Sequence, residues 1–159
     1  MAAGGSALFE AEIAKYLLEG KELKTLVAGK SYLGFCEAAS KKNENWTVAK
    51  ELEGTTGYKE RLAVNASALK MHVVEQEGSV GEAKKGAQLI NEAEAKIFTS
   101  VPGTVTHPKV KFAFIARYSS SVFAKGEILH VIELSPEVEI LSTTTEFSFA
   151  TGELNFEIL

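Results

Sequence analysis

The residue types best suited to catalysis in this chain are one cysteine and three histidines. Cys36 lies within the apolar stretch "SYLGFC", whereas a reactive thiolate needs a positive and partly exposed setting. None of His72, His107 and His130 has a second potential ligand at i+2 or i+4, so their spacing predicts no zinc or iron site. We therefore predict a buried structural thiol, no metal and no cofactor, with His72 and His130 on strands facing solvent or a neighbouring subunit.

Other catalytic arrangements also lack their defining spacing. The serines in "YSSSVF" have no G-x-S-x-G elbow around them, and "GSVGEAKKG" lacks the G-x-x-x-x-G-K-[ST] spacing of a phosphate-binding loop. The carboxylates of "EAEAK" and "ELEG" are typical of exposed faces and turns. The sequence therefore predicts no catalytic residues and no enzyme, and a small cysteine hydrolase that uses Cys36 is the least favoured alternative.

Length and composition are typical of one globular domain. The chain has 159 residues, of which 45% are hydrophobic and 24% charged. A net charge of −4 argues against nucleic acid or an anionic membrane as partner. No apolar run approaches the roughly 20 residues that span a bilayer, and the N-terminus does not resemble a secretory signal. We expect synthesis in a cytoplasm without export by that route.

Hydrophobic spacing predicts one helix, at the N-terminus. Phe9, Ile13, Tyr16 and Leu17 fall at i, i+4, i+7 and i+8, which places them on one helical face. Gly4, Gly5 or Ser6 can open this amphipathic helix and Gly20 can close it. We assign residues 1–29 to this region.

Residues 30–159 have the pattern of a mainly β protein. Short strands separated by turn signals predict an antiparallel β-sandwich or barrel, and we favour a jelly-roll-like sandwich that forms a single compact unit with the helix. The segment from Glu82 to Thr99 fits either a helix or a strand, and intrinsic propensity alone favours helix.

The chain closes on "TTTEFSFATGELNFEIL", which alternates apolar and polar residues on both sides of a Gly-containing turn. Matching the apolar faces predicts an even-loop hairpin in which Phe149 opposes Leu154 and Phe147 opposes Phe156. We expect the apolar face of this hairpin to meet the protein's own core and not the next subunit.

Several stretches, taken in order, are similar to one known family. An N-terminal helix, "YLGFCEAA", "ELEGTTGYKERLAV", "TVTHPKVKFAFIA" and the closing stretch resemble small tailed-bacteriophage structural proteins of the tail fibre or minor tail type. The similarity runs roughly from Ala7 to Ile158. The matching residues are Glu53, Gly54, Gly57, Tyr58, Thr106, His107, Phe147 and Gly152. The resemblance implies that Asn91 to Thr99 is a strand, against local propensity.

The resemblance implies a non-enzymatic virion structural protein, assembled in the bacterial host cytoplasm. Its partners would be itself, with a trimer favoured, and other proteins of the capsid or tail, in a fibre, baseplate or decoration role. Residues 1–29 would be a docking region, and the helix face of Phe9, Ile13, Tyr16 and Leu17 is a candidate assembly interface, although packing against the core is the more frequent role of such a face.

A second class of function is a module that binds host-surface carbohydrate. Such a module stacks exposed aromatic rings on sugars, and Trp46 and Tyr118 are the candidates for this role. A host glycan is therefore an additional candidate partner.

Overall fold

The computed structural model describes residues 4–6, 9–11, 31–43, 45–51, 61–64, 69–76, 86–98, 109–117, 127–141 and 146–157. This part of the chain is mainly β, as predicted, and all its strand pairs are antiparallel. The strands are β1 Gly4–Gly5, β2 Ser31–Lys42, β3 Asn45–Glu51, β4 Leu62–Ala63, β5 Met71–Gln76, β6 Gly86–Asn91, β7 Ala95–Phe98, β8 Lys109–Arg117, β9 Glu127–Glu139, β10 Glu146–Phe149 and β11 Asn155–Glu157.

The largest sheet is curled into a half-barrel. Its order is β1-β9-β8-β2-β3, and β4 also pairs with β2. Strand β3 contacts β9 although β8 and β2 separate them in the sheet. The Lys41 ammonium donates a hydrogen bond of 2.9 Å to the Gly5 carbonyl, so a side chain at the end of β2 reaches β1 at the edge of the sheet.

Two smaller sheets, β11-β6-β5 and β10-β7, correct the predicted closing hairpin. Strands β10 and β11 do not pair with each other, because both pair with the segment formed by β6 and β7. Phe149 opposes Ala95, Phe147 opposes Ile97 and Phe156 opposes Leu89. The predicted register was wrong because β6 and β7 offer an apolar face of the same period, and periodicity alone does not distinguish between partners.

The same pairing settles the ambiguous segment wherever it is described. Residues 86–91 and 95–98 are strands, with a bend at 92–94 between them. The strand that the resemblance implied from Asn91 onward is therefore confirmed at Asn91 and at residues 95–98 but not at residues 92–94, and pairing with β10 and β11 overrides the local helix propensity.

The main core lies on one face of the curled sheet and includes the closing segment. Phe147, Phe149, Leu154 and Phe156 are buried in it, as predicted for the apolar face. Phe35 of β2 joins them, edge-on to Phe147 and stacked on Phe149 with ring centroids 5.7 Å apart. Each such ring contributes about 1.5–3 kcal/mol by leaving water.

A second cluster lies on the opposite face of the curled sheet. Strand alternation sends Cys36 and Phe114 to this face, while their neighbours Phe35 and Ile115 enter the main core. Its buried members are Cys36, Trp46, Phe114, Ala116, Ile128 and Val131. The sheet is thus apolar on both faces.

The described N-terminal residues begin a helical turn. Ser6 caps it: its carbonyl accepts from the Glu10 amide at 3.0 Å, and its hydroxyl accepts from the Phe9 amide at 3.3 Å. Phe9 is completely buried in the main core, so it is not available as an assembly residue. The rest of the predicted helix, with Ile13, Tyr16 and Leu17, lies outside the described residues.

Candidate functional site

An open groove of about 410 Å³ runs between β9 and the turn that joins β10 to β11. The groove exists because β9 departs from its pairing with β8. Val110 opposes Val138 and Phe112 opposes Glu133, so residues 134–137 lie opposite Lys111 alone. This detour contains the cis peptide Ser135–Pro136 and forms one wall of the groove. The opposite wall comes from the closing segment.

The groove combines an apolar floor with polar walls. Leu134 and Val138 pack against the main core from below, while Glu133 and Ser135 are exposed. Asn155 also lines it, and the buried side-chain oxygen of this residue has no hydrogen-bond partner among the described residues. Its described lining contains no histidine, cysteine or lysine to activate a serine. Glu133 and Glu153 are the titratable side chains of this lining.

The far wall of the groove is held in place by one buried amide, that of Asn91 at the end of β6. Its oxygen accepts from the amides of Gly152 at 3.1 Å and Leu154 at 3.0 Å. Its nitrogen donates to the carbonyls of Ala93 at 2.8 Å and Ala150 at 3.0 Å. All four hydrogen-bonding positions of the amide are therefore used, and they fasten the turn of the closing segment to the bend between β6 and β7.

Gly152 is the residue of that turn with a positive φ, +83°, a value that side chains disfavour. Phe147 and Gly152 are the two family-matching residues that the structure describes. The others, Glu53, Gly54, Gly57, Tyr58, Thr106 and His107, lie outside the described residues.

His130 occupies a buried position on β9, so the expectation that it faces solvent or a neighbouring subunit was wrong. A bulge explains its direction: Ile115 opposes His130 and Ala116 opposes Ile128, so Leu129 is an extra residue and the alternation resets. His130 is 1% exposed, and its Nε2 donates to the Glu157 carbonyl at 2.6 Å. By contrast His72 is exposed, as expected, with its Nδ1 3.5 Å from a Glu92 oxygen.

Burial lowers the pKa of His130 to about 4. Removal of the ring from water is the largest cause, since it disfavours the charged form. Hydrogen bonding to the backbone of Glu157 and Val131 offsets part of this effect, and the Lys41 charge adds to it. The imidazole is therefore neutral at neutral pH.

No protein-family model matches the chain, and no curated protein matches it.

A buried ion pair is the polar feature that the sequence reasoning missed. Arg61 is bidentate to Glu51, with Nε to Oε1 at 2.7 Å and Nη2 to Oε2 at 2.8 Å. The guanidinium lies 5.1 Å from the centre of the Phe114 ring. Gly34 leaves the space for this arrangement, because a Cβ there would come within 2.4 Å of Phe114 Cζ and 3.0 Å of the Glu51 carboxylate. A glycine inside an apolar strand was the available signal of such a close approach.

The candidate nucleophile Cys36 is buried beside this pair, as predicted for a structural thiol. Burial, and then the Glu51 charge, raise its pKa to about 12, whereas a working nucleophile needs a lowered one. This observation argues against the cysteine hydrolase.

Trp46, the candidate for stacking on a sugar, is only 6% exposed and packs in the second cluster. The Lys41 ammonium lies 5.9 Å from the centre of its ring. A sugar needs an open aromatic face, so the stacking role expected of Trp46 was wrong. Tyr118, the other candidate, lies outside the described residues.

The described part of the chain holds neither a cluster of metal ligands nor a membrane-spanning helix. No group of three or more His, Cys, Asp or Glu side chains there is placed to hold a metal ion. No helix in that part is long and apolar enough to cross a membrane.

Proposed function

We propose that this chain is a non-enzymatic structural protein of a bacteriophage virion, which assembles as a homo-oligomer, a trimer in the favoured case, on the tail or capsid. The observation that carries the proposal is the order of family-like stretches from Ala7 to Ile158, ending on "TTTEFSFATGELNFEIL". In that last stretch Phe147 is a core residue and Gly152 makes the turn, the roles that a structural motif requires.

The architecture in this proposal is a jelly-roll-like sandwich preceded by an amphipathic docking helix over residues 1–29. The main cluster supports the sandwich, because it joins residues of the curled sheet with residues of both small sheets, as face-to-face sheet packing requires. The turn capped by Ser6 supports a helix that starts near Phe9.

Contacts with other virion proteins then use surfaces other than the closing segment's apolar face. That face and Phe9 are already buried within the subunit. Among the described residues the groove beside the β9 detour stays open, and the predicted helix face of Ile13, Tyr16 and Leu17 is a further candidate. A fibre, a baseplate component and a decoration protein each satisfy this description.

Light scattering on the purified protein, together with mass spectrometry of purified phage particles, tests the proposal. We expect a stable oligomer, and peptides of this chain at constant stoichiometry in particles that survive density-gradient purification. A protein that stays monomeric at high concentration and is absent from such particles would refute the proposal.

The position in the virion follows from a second fractionation. Tails and filled heads separated from each other should show the chain in one fraction only. Absence of the chain from both fractions, with all of it in the soluble lysate, would count against any virion role.

A further inference from the structure

His130 is the point at which the first and the last described segments of the chain meet the curled sheet. On the N-terminal side Gly5 pairs with His130 in the sheet, and the Phe9 ring packs edge-on against the imidazole at 6.1 Å. On the C-terminal side Phe156 packs edge-on at 5.4 Å, and the Glu157 carbonyl accepts the Nε2 hydrogen. One imidazole therefore contacts two segments that lie far apart in sequence.

The fit around the ring is close and apolar. A Cβ on Gly5 would lie 3.4 Å from His130 Cδ2, and Phe9 and Phe156 are both completely buried. Because a carbonyl only accepts, Nε2 carries the hydrogen and Nδ1 is left as a bare lone pair. Nδ1 is buried and has no hydrogen-bond partner among the described residues.

We propose that His130 is an acid-sensitive clasp, which holds residues 4–6, residues 9–11 and β11 on β9 while it is neutral and releases these segments when it takes up a proton. Protonation places a charge and a new N–H at Nδ1, which makes no hydrogen bond in the closed form, and the backbone of Val131 offsets only part of the cost of holding that charge away from water. Water reaches that N–H only if a covering segment moves away. The buried charge is therefore relieved by opening.

Both covering segments are held by short strands. Strand β1 pairs with β9 through Gly4 and Gly5 only, and β11 comprises Asn155–Glu157. Beyond this pairing, the described backbone bond from the N-terminal segment to β9 is the one of 2.7 Å from the Ser6 amide to the Leu129 carbonyl. Short strands at the edge of a sheet open at lower free energy than central strands such as β8.

The charged groups around the clasp do not reverse this effect. From β2 the Lys41 ammonium, bonded to the Gly5 carbonyl, disfavours a second cation nearby. From the N-terminal turn Glu10 approaches, with its Oε1 3.6 Å from the Cβ position of Gly5, but it is not among the groups that shift the pKa of His130. Glu157 offers its carbonyl while its side chain is exposed, and β8 contributes the uncharged Ile115 opposite the ring.

The sign and the size of the pH dependence follow from the pKa of the ring. Folding lowers the pKa of His130 from 6.5 to about 4, so the clasp is fully closed above pH 6.5 and weakens as the pH falls towards 4. The opening equilibrium is expected to rise by at most about tenfold per pH unit, and by about 100-fold between pH 7 and pH 4.

Hydrogen exchange measured by mass spectrometry between pH 7 and pH 4, corrected for intrinsic rates, tests this on the full chain. We expect peptides covering residues 4–11 and 155–157 to lose protection together, while peptides of β8 keep theirs. His130→Gln retains a donor for the Glu157 carbonyl and does not titrate here, so it should abolish the pH dependence. His72→Gln, at an exposed strand position, is the matched control and should leave it unchanged.

Three results overturn the proposal: protection of both segments that is constant to pH 4, loss of protection in β8 in parallel with them, or a clasp pH dependence that survives in His130→Gln. If His130→Gln does not fold, the NMR titration of the His130 Cε1 proton decides instead, because an imidazole that titrates near 6.5 in the folded protein is incompatible with the clasp.

Discussion

Replacing Asn91 with alanine removes the amide that fastens the closing segment to β6 and β7. Two of its four partners keep another bond: the Gly152 amide still reaches the Asn91 carbonyl at 3.1 Å, and the Ala150 carbonyl still accepts from the Glu153 amide at 3.0 Å. The Ala93 carbonyl belongs to an exposed residue and can be hydrated. The buried amide of Leu154 is the group that loses its acceptor.

The expected destabilisation follows from these four groups. An unsatisfied buried amide costs about 1–3 kcal/mol, and the other lost bonds contribute about 0.5–1.5 kcal/mol each. We therefore expect Asn91→Ala to lower the free energy of unfolding by roughly 3 kcal/mol. Asn91→Asp keeps both acceptors but points an oxygen at two carbonyls, so it should be at least as destabilising at neutral pH and should recover partly as the introduced carboxyl protonates.

Urea unfolding followed by the fluorescence of the single tryptophan, at one fixed protein concentration, measures the change. Asn155→Ala is the matched control: Asn155 lies in β11, its side-chain oxygen has no described partner, and its loss should cost less than about 1 kcal/mol. An Asn91→Ala protein within about 0.5 kcal/mol of the wild type would refute the role of this amide.

Three further predictions concern the second face of the curled sheet. Gly34→Ala places a Cβ 2.4 Å from Phe114 Cζ and should cost about 1–3 kcal/mol, measured by urea unfolding; an unchanged midpoint would contradict the close approach. Glu51→Ala leaves Arg61 buried without its partner and should lower the free energy of unfolding by about 3–5 kcal/mol. Replacing both residues, with Leu and Met, should lower it by less. Equal losses in the two variants would contradict the cost of an uncompensated buried charge. Burial raises the pKa of Cys36 to about 12, so the native protein should resist iodoacetamide from pH 7 to 9 and react only when it is unfolded. Labelling of the native protein at a rate that rises with pH would contradict the buried thiol.

Alternation predicted correctly which faces of the closing stretch point inward, yet it did not predict their partners. The apolar face of Phe147 and Phe149 matches the strand after the turn as well as it matches β7. The predicted hairpin and the observed pairing with β7 therefore satisfy the same pattern. The deciding contact comes from Asn91, which is 61 residues from Gly152 in the chain. A polar residue in "LINEAEAK" carries no local signal of that bond.

Polar residues in the interior were missed for a related reason. Arg61 and His130 are buried here, while residues of their types are mostly exposed or only partly buried in folded proteins. His130 lies in "ILHVIEL", where apolar residues on both sides indicate a strand without showing that a bulge at Leu129 turns the ring inward. Burial of Arg61 depends on Glu51 and on the space left by Gly34, and these residues meet only once the sheet has formed.

The closing segment is held from two sides, which bears on how the protein would assemble. Asn91 fixes its turn and His130 fixes its last described residue, Glu157, while the aromatic rings between them enter the core. A segment held in this way is part of the subunit's own fold, and exchanging it with a neighbour would break both sets of contacts before any new ones form. Assembly by surfaces that stay open in the folded subunit, such as the groove beside the β9 detour, avoids that cost.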